Sequence, residues 1–581
     1  VDEATADVVM IKPVFGAGRE GRARADGGRM RSWSTGRRRN LQFGVFGALA
    51  VLGSSRTASA NGFEYPELGT EVMGRAGAYT AKADAPIAMA LNPAGLAGQG
   101  TAIFFDANAA WQSMCFQRAG AYPNQNGNGA AGDMSGYAGA PYPQVCKDNG
   151  LADVNVVPTI IFSYQVTPKL SLAAGLASPN AAGKSNWPTE VAVSASDGST
   201  VMAPAPQRYL LLSQSAIIAY PSVGFGWEVA PGVRLGGTFE WVISYLKFSN
   251  VAQGVLSGSS KNVENPADDL RADLTVKSYF TPAFVVGALI SPARFFDFGV
   301  SFRWSGDIDT TNTTVQVTGP YPGNSARAAY CPAPTTYPTT GYTDPCALAP
   351  NNQVPANAST AHFVIAQPWD LKMGFRYHQP RTGAVSSTGS ARDPMSMDVF
   401  DVELDVTYSH NSSLDKIGIA FPAGMGVNFG SSIGASNIPT DASVPHQWQD
   451  VWGFRLGGEY VLLPNQLAVR AGGYFQTTGI DAGYLGIDFS PTQQFGLYAG
   501  TTYRTRNFDL SLGLGHVFYK SLDNGGNGNV YGLLADPTAP DATVCKTSGV
   551  PPTVGRMCGP QNGGSLTQSL NILSLGVTKH F

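Results

Sequence analysis

The chain has 581 residues, of which 14% are charged and 43% hydrophobic, with 69 Gly and 39 Pro. That is too apolar for a disordered protein and too rich in Gly for a helical one. The net charge of −3 implies no strong electrostatic partner such as nucleic acid, and beyond the N-terminal region no apolar run reaches the roughly 18 residues that a membrane helix needs.

Residues 1–60 read as a signal peptide with an upstream extension. Residues 1–28 precede Met30, a suitable initiator. Arg37, Arg38 and Arg39 supply a positive region, Phe43–Leu52 a short apolar core, and Ala58-Ser59-Ala60 a small-residue cleavage site. The mature chain then starts at Asn61. Export makes disulfides the expected state of Cys115, Cys146, Cys331, Cys346, Cys545 and Cys558, which group along the chain as three local pairs. Their spacing does not suit zinc, and no metal or cofactor is implied.

Asn61–Gly98 is rich in small residues, weakly charged and too irregular for one good helix or strand. From Thr101 onward, period-2 alternation dominates. Phe296, Phe298, Val300, Phe302 and Trp304 alternate with Asp297, Gly299, Ser301 and Arg303, and the runs from Trp369, Phe400 and Trp452 behave alike. One face is bulky and apolar; the other carries charge and Gly. About fourteen strands emerge, roughly 101–113, 153–167, 169–178, 207–230, 232–249, 269–291, 294–307, 359–378, 396–411, 445–463, 465–478, 491–503, 506–520 and 567–581. Short turns alternate with long polar segments, and aromatic residues sit at strand ends. That asymmetry predicts an all-β fold, a transmembrane antiparallel β-barrel spanning residues 101–581, rather than a soluble sandwich. A barrel of this size leaves a lumen that wall side chains alone cannot fill. Residues 61–100 are therefore expected inside it as a plug.

Lys372, Arg376, Asp401, Glu403, Asp405, Arg455, Glu459 and Arg470 fall on the charged face and are expected to form a cross-strand ladder in the lumen. Lys277, read as facing the lumen together with Arg271, Asp273, Thr275 and Tyr279, is a candidate for an anionic ligand head group, with Arg303 and Arg234 as further candidates. Gly175, Pro179 and Gly183 lie in or just after the third strand, where Gly and Pro weaken a ladder, but Pro158, Pro221, Pro282 and Pro368 also lie in predicted strands. No catalytic constellation appears, so an enzyme is not expected.

Gly62-Phe63, Gly74-Arg75-Ala76 and Asn92-Pro93-Ala94-Gly95-Leu96 resemble, in order and spacing, the N-terminal hatch of FadL-type outer-membrane transporters of long-chain fatty acids and other hydrophobic compounds. Leu172–Pro179, Trp448–Tyr460 and Leu467–Tyr474 resemble the same family, and the terminal Phe581 resembles the signal read by the barrel assembly machinery. The resemblance implies a monomeric barrel in the outer membrane of a Gram-negative bacterium. It implies passive uptake of fatty acid or hydrocarbon, a gate formed by Asn61, Gly62, Phe63, Gly74, Arg75, Asn92, Pro93 and Ala94, and lateral exit into outer-membrane lipid near the third strand, at Gly175, Pro179 and Gly183. A hydrophilic porin and a structural or secretion-associated barrel are the alternatives.

Overall fold

The structure, a computed structural model, describes residues 68–122, 137, 139–148, 154–178, 183–195, 197–253, 269–318, 361–382, 393–423, 426–428, 435–437, 439–533 and 556–581. The expected signal segment and Asn61, Gly62, Phe63, Pro179, Cys331, Cys346 and Cys545 lie outside these residues.

Fourteen antiparallel wall strands follow the alternating runs. They are β1 (Ala102–Arg118), β2 (Asn155–Thr167), β3 (Leu170–Leu176), β4 in two pieces (Ser213–Ala219 and Pro221–Ala230), β5 (Val233–Gln253), β6 (Asp269–Ala293) and β7 (Phe296–Ser305). The wall continues with β8 (Asp370–Pro380), β9 (Asp398–Ser409), β10 (Val451–Leu463), β11 (Leu467–Gln476), β12 (Gln494–Thr505), β13 (Phe508–Tyr519) and β14 (Gly564–His580). The barrel closes where β1 pairs β14 in one unbroken register, from Ala102 opposite His580 to Arg118 opposite Gly564. Closure leaves the wall without a free first or last strand, so its backbone groups can be satisfied within the membrane.

The outward face carries the apolar series. On β10, Trp452, Phe454, Leu456, Tyr460 and Leu462 are all exposed, whereas Val451, Arg455, Glu459 and Val461 are buried. Two aromatic girdles bound this band. Trp369, Tyr408 and Trp452 touch in sequence at one end, with ring centroids 5.3 and 5.0 Å apart. Tyr377 and Phe400 stand 6.0 Å apart at the other. A band of about 25 Å between such girdles is what a lipid-facing barrel wall presents. Among the described residues no helix is long and apolar enough to cross a membrane, and the strands do so instead.

One expectation about faces is corrected. Between Val242 and Ser244 of β5 the pairing with β6 slips, so that Ile243 faces both Tyr279 and Phe280. This bulge changes the parity of β6. Below it Ala283, Val285 and Leu289 are buried; above it Leu274, Val276 and Ser278 are. Lys277, with Arg271, Asp273 and Thr275, therefore alternates out of phase with the buried lumenal residues and lies on the outer side. The reversal has a physical reason. Above the membrane the outside of the strand meets water, and the inside packs on apolar loops.

Those loops gather over the mouth. Short strands Ile308–Thr310, His362–Ile365, Lys416–Ala420 and Val444–Pro445 form a small sheet. With Val242, Leu246, Leu274 and Val276 of the wall, Phe363, Ile417, Trp448 and Phe489 build an apolar cluster in the upper lumen.

Cys115 and Cys146 face each other across β1 and the short strand Gln144–Cys146, and they are joined as a disulfide. The bridge closes a loop whose ends are 31 residues apart in sequence, which in the chain-entropy account contributes about 3–4 kcal/mol. Arg118 and Lys147, both buried, flank it. Reduction is expected to open these two positions to trypsin while the heat-dependent gel shift of the folded barrel stays unchanged. Protection that survives reduction would show that the loop is held by packing alone.

Candidate functional site

Residues 68–99 pack against the inward side of the wall. This segment contains helix α1 (Thr70–Met73), helix α2 (Ala88–Leu91) and a 3-10 turn at Pro93–Leu96. Each is short, as the mixture of Gly, Pro and Ala suggests, and nearly every side chain is buried. Wall glycines make this possible. Gly226, Gly236, Gly287, Gly299, Gly374, Gly457, Gly472 and Gly500 point inward, and a Cβ on any of them would come within about 3 Å of the segment. Several face each other directly across the ladder: Gly226 with Gly236, Gly236 with Gly287, Gly299 with Gly374, and Gly457 with Gly472. The backbone of the segment thus rests on strips of bare wall backbone. Alternation alone puts Gly on the lumenal face; the close approach of the segment is why it recurs there.

Charge fixes the orientation of the segment. Arg75 is fully buried, donates to Asp401, and reaches Glu403 at 3.3 Å. Its Nε donates to the Ala78 carbonyl at 2.9 Å. Lys82, also buried, stands 3.2 Å from Glu459, 3.4 Å from Asp401 and 2.8 Å from Asp84. Backbone N–H groups complete the cage: Tyr79 and Thr80 both donate to Asp405 at 2.9 Å, and Ala81 donates to Glu403 at 2.6 Å. On the wall, Arg376 pairs with Asp297, Asp398 and Asp401, and Arg470 with Glu459. Arg455 donates to the Ala76 carbonyl at 3.4 Å and lies over the Tyr474 ring. The lumenal ladder and the segment are therefore one network. Lys372 lies on the same stretch of β8, half-buried, opposite Ser301.

Asn92 and Pro93 form the second anchor. The Asn92 side chain caps the 3-10 turn through Ala94 N–H, and its amide donates to the Thr80 carbonyl at 2.7 Å and to Ala288 on β6 at 3.3 Å. Pro93 occupies the first helical position, where no N–H is needed. Gly74 lies against Gly500 of β12.

The wall is interrupted at the end of β3. Leu170–Leu176 pair with β2 on one side and β4 on the other, and there β3 stops. Asn155–Thr159 of β2 keep their pairing with β1 but, among the described residues, have no ladder partner toward β4. Ala216–Ala219 of β4 likewise have no described ladder partner toward β2. The window is roughly 13 Å high, from four residues at about 3.3 Å each. Its sill is Leu176 opposite Pro221. Its lintel is the short strand Lys184–Asn186, which pairs with Ser213–Ser215, while Lys184 N–H donates to the Asn155 side chain at 2.6 Å. Gly183 packs on that same Asn155. Gly175 sits at the sill, where a Cβ would strike Ile160 and Ile161. Pro158 and Pro221 both border the window, as the lack of an N–H requires at a local edge. Val157, Ala177 and Ile218 are buried around it, and Val156 and Ile217 are exposed outside.

Arg303, a head-group candidate, is committed to Glu240 at 2.7 Å and lies over the Tyr220 ring. Arg234 is buried low on β5, opposite Glu228. Neither lies with Lys277.

A Pseudomonas aeruginosa FadL homologue of known structure superposes with a TM-score of 0.56 at 15% identity, covering 90% of this chain and 100% of that one. This chain has the fold of a FadL-type outer-membrane barrel. The CymD monoaromatic hydrocarbon channel (TM-score 0.49, 11% identity, 88% of this chain and 97% of that one) and the P. putida toluene transporter TodX (0.48, 12%, 86% and 94%) are also similar. No protein-family model and no curated protein matches the sequence.

Two predictions follow from the site. Gly457→Val places a side chain where the Arg75 carbonyl now sits, and Arg75→Met leaves Glu403 without its cation and Asp401 with only Arg376 and Lys82. Breaking one partner of a buried pair costs about 3–5 kcal/mol. Both variants are expected to keep the barrel and to raise single-channel conductance as the segment loosens, and unchanged conductance would count against its anchoring role.

The second concerns pH at the mouth, outside the membrane span. His446 Nε2 meets Asp488 at 3.0 Å and its Nδ1 meets the Val444 carbonyl at 3.1 Å. Both neighbours accept, so the ring serves them best as an imidazolium. Burial alone would lower the His446 pKa, but the charge and hydrogen bond of Asp488 outweigh it and raise the pKa above 6.5. Burial likewise opposes ionisation of Asp488, but His446 and local hydrogen bonds hold its pKa below 3.8. A raised folded-state pKa gives stability that is complete below about pH 6.5 and lost as pH rises through the raised value; the lowered carboxylate adds stability lost only in acid. Hydrogen exchange around Trp448 is therefore expected to be slowest between about pH 4 and 6.5 after correction for the intrinsic rate. His446→Gln should abolish the loss of protection above about pH 6.5.

Proposed function

We propose that this protein is a passive outer-membrane channel for hydrophobic molecules, long-chain fatty acids or hydrocarbons, with the lumenal segment as its hatch and the window after β3 as its exit. The window is the observation that carries this reading. Straight passage to the periplasm is blocked by a segment locked through buried ion pairs, whereas the side of the barrel offers an opening edged by Val157, Ala177, Ile218 and Ile217. A molecule held in the apolar upper lumen can reach that opening and leave without meeting water. No energy source is required, since consumption inside the cell maintains the gradient.

In this reading Asn61–Phe63, Gly74, Arg75 and Asn92–Ala94 work as the gate, and Gly175, Pro179 and Gly183 frame the lateral path. The likeness to solved barrels named as a FadL homologue and as aromatic-hydrocarbon channels supports the ligand class. Phe581 is exposed and its N–H donates to the Thr101 carbonyl at 3.1 Å, which suits recognition of the closing strand by the assembly machinery. The barrel acts as a monomer.

The test is Ala177→Phe, which fills the window from a position that is fully buried. In cells lacking their own transporters, uptake of radiolabelled oleate or toluene is expected to fall about tenfold, the effect of roughly 1.4 kcal/mol on a barrier. Unchanged uptake by a correctly folded variant would rule out lateral exit.

A further inference from the structure

The lipid-facing wall below the window is not smooth. On β2–β6 the outward residues run in two cross-strand rows. One passes through Tyr164, Leu172, Phe225, Gly237 and Val286; the other through Phe162, Ala174, Val223, Phe239 and Phe284. Ala174 and Gly237 are the small members of these bulky rows. Where they fall, the aromatic side chains stand around a groove of about 780 Å³, within the roughly 300–1,000 Å³ of small-molecule sites. Its lining is almost wholly apolar. It begins at Ala174, two residues below the sill residue Leu176.

We propose that this groove is a receiving site for the hydrophobic molecule that leaves through the window, a conclusion that rests on the lateral exit proposed above. Three features favour that occupant. The groove faces the hydrocarbon layer, so a polar ligand has no access. It begins two residues below the sill, so a chain leaving the lumen meets it before bulk lipid. Its rigid aromatic rim on a β-sheet offers fixed dispersion contacts that mobile acyl tails do not. The groove thus holds the molecule against the wall and draws it clear of the window.

Photolabelling separates the possibilities. Cells expressing the full chain receive, from outside, a long-chain fatty acid or an alkylbenzene carrying a diazirine, and labelled peptides are mapped by mass spectrometry. Label is expected on Phe162, Phe225 and Phe239 in excess over Phe495 and Phe518, which are equally outward on β12 and β13. Ala174→Leu, alone or with Gly237→Leu, should remove that excess and slow uptake about threefold, the scale of a few lost dispersion contacts. Ala177→Phe should also remove it. Even labelling around the barrel would overturn the inference. So would groove labelling that persists in Ala177→Phe while uptake falls, because the groove then fills from the bilayer; lateral exit would stand. Uptake that persists in Ala177→Phe removes lateral exit itself, and the receiving site with it.

Discussion

The interior of this barrel depends on Arg75 meeting Asp401 and Glu403. Three charges so placed, with no exposure to water, are tolerable only as a set. The wall carboxylates need the cations and N–H groups of the segment, and the segment needs the carboxylates to hold an otherwise irregular chain. Lys82 ties the same cage to Glu459, and Asp405 takes two backbone N–H groups that no helix satisfies. Shape then follows charge. Because the segment must lie within hydrogen-bonding reach of the wall, the wall beside it must be Gly, and it is Gly on strand after strand.

The same interior divides the lumen into two regimes. Below, polar and charged side chains bind the segment to β8–β11. Above, Phe363, Trp448 and Phe489 enter from the loops and the contacts become apolar. The window lies at the junction, since Val157 and Ala177 cluster with apolar side chains of the segment such as Ile87 and Leu96, and Ile218 belongs to the apolar cluster of the upper lumen. Position, rather than any single reactive group, is therefore what the site consists of.

Much of this was legible in the sequence. Strict alternation in runs such as Phe296–Trp304 left little freedom, because a one-residue slip would expose every charge to lipid. The fourteen strands and their short turns were recoverable on that ground. The ladder from Arg376 to Arg470 was legible as a lumenal feature because its residues share one face. Its partners were not, since Arg75 and Lys82 lie more than three hundred residues away in the chain. The recurrence of Gly was visible but ambiguous, because lack of a side chain says nothing about what comes close. The window was hidden for a related reason. Pro158, Pro221 and Pro282 all signal a local defect, and only pairing shows that the first two border one opening. Lys277 was misplaced because a bulge leaves no mark in the composition of the strand it bends.

That bulge has a consequence for how such a protein can vary. By shifting the parity of β6 once, between the membrane and the mouth, it uncouples the side-chain code of the two regions. Substitutions above Ser278 alter what the exterior mouth is made of without presenting a charge to the bilayer, and substitutions below Thr281 retune the lipid face without disturbing the mouth. The extra residue acts as a seam, across which the wall and the entrance can change on separate terms.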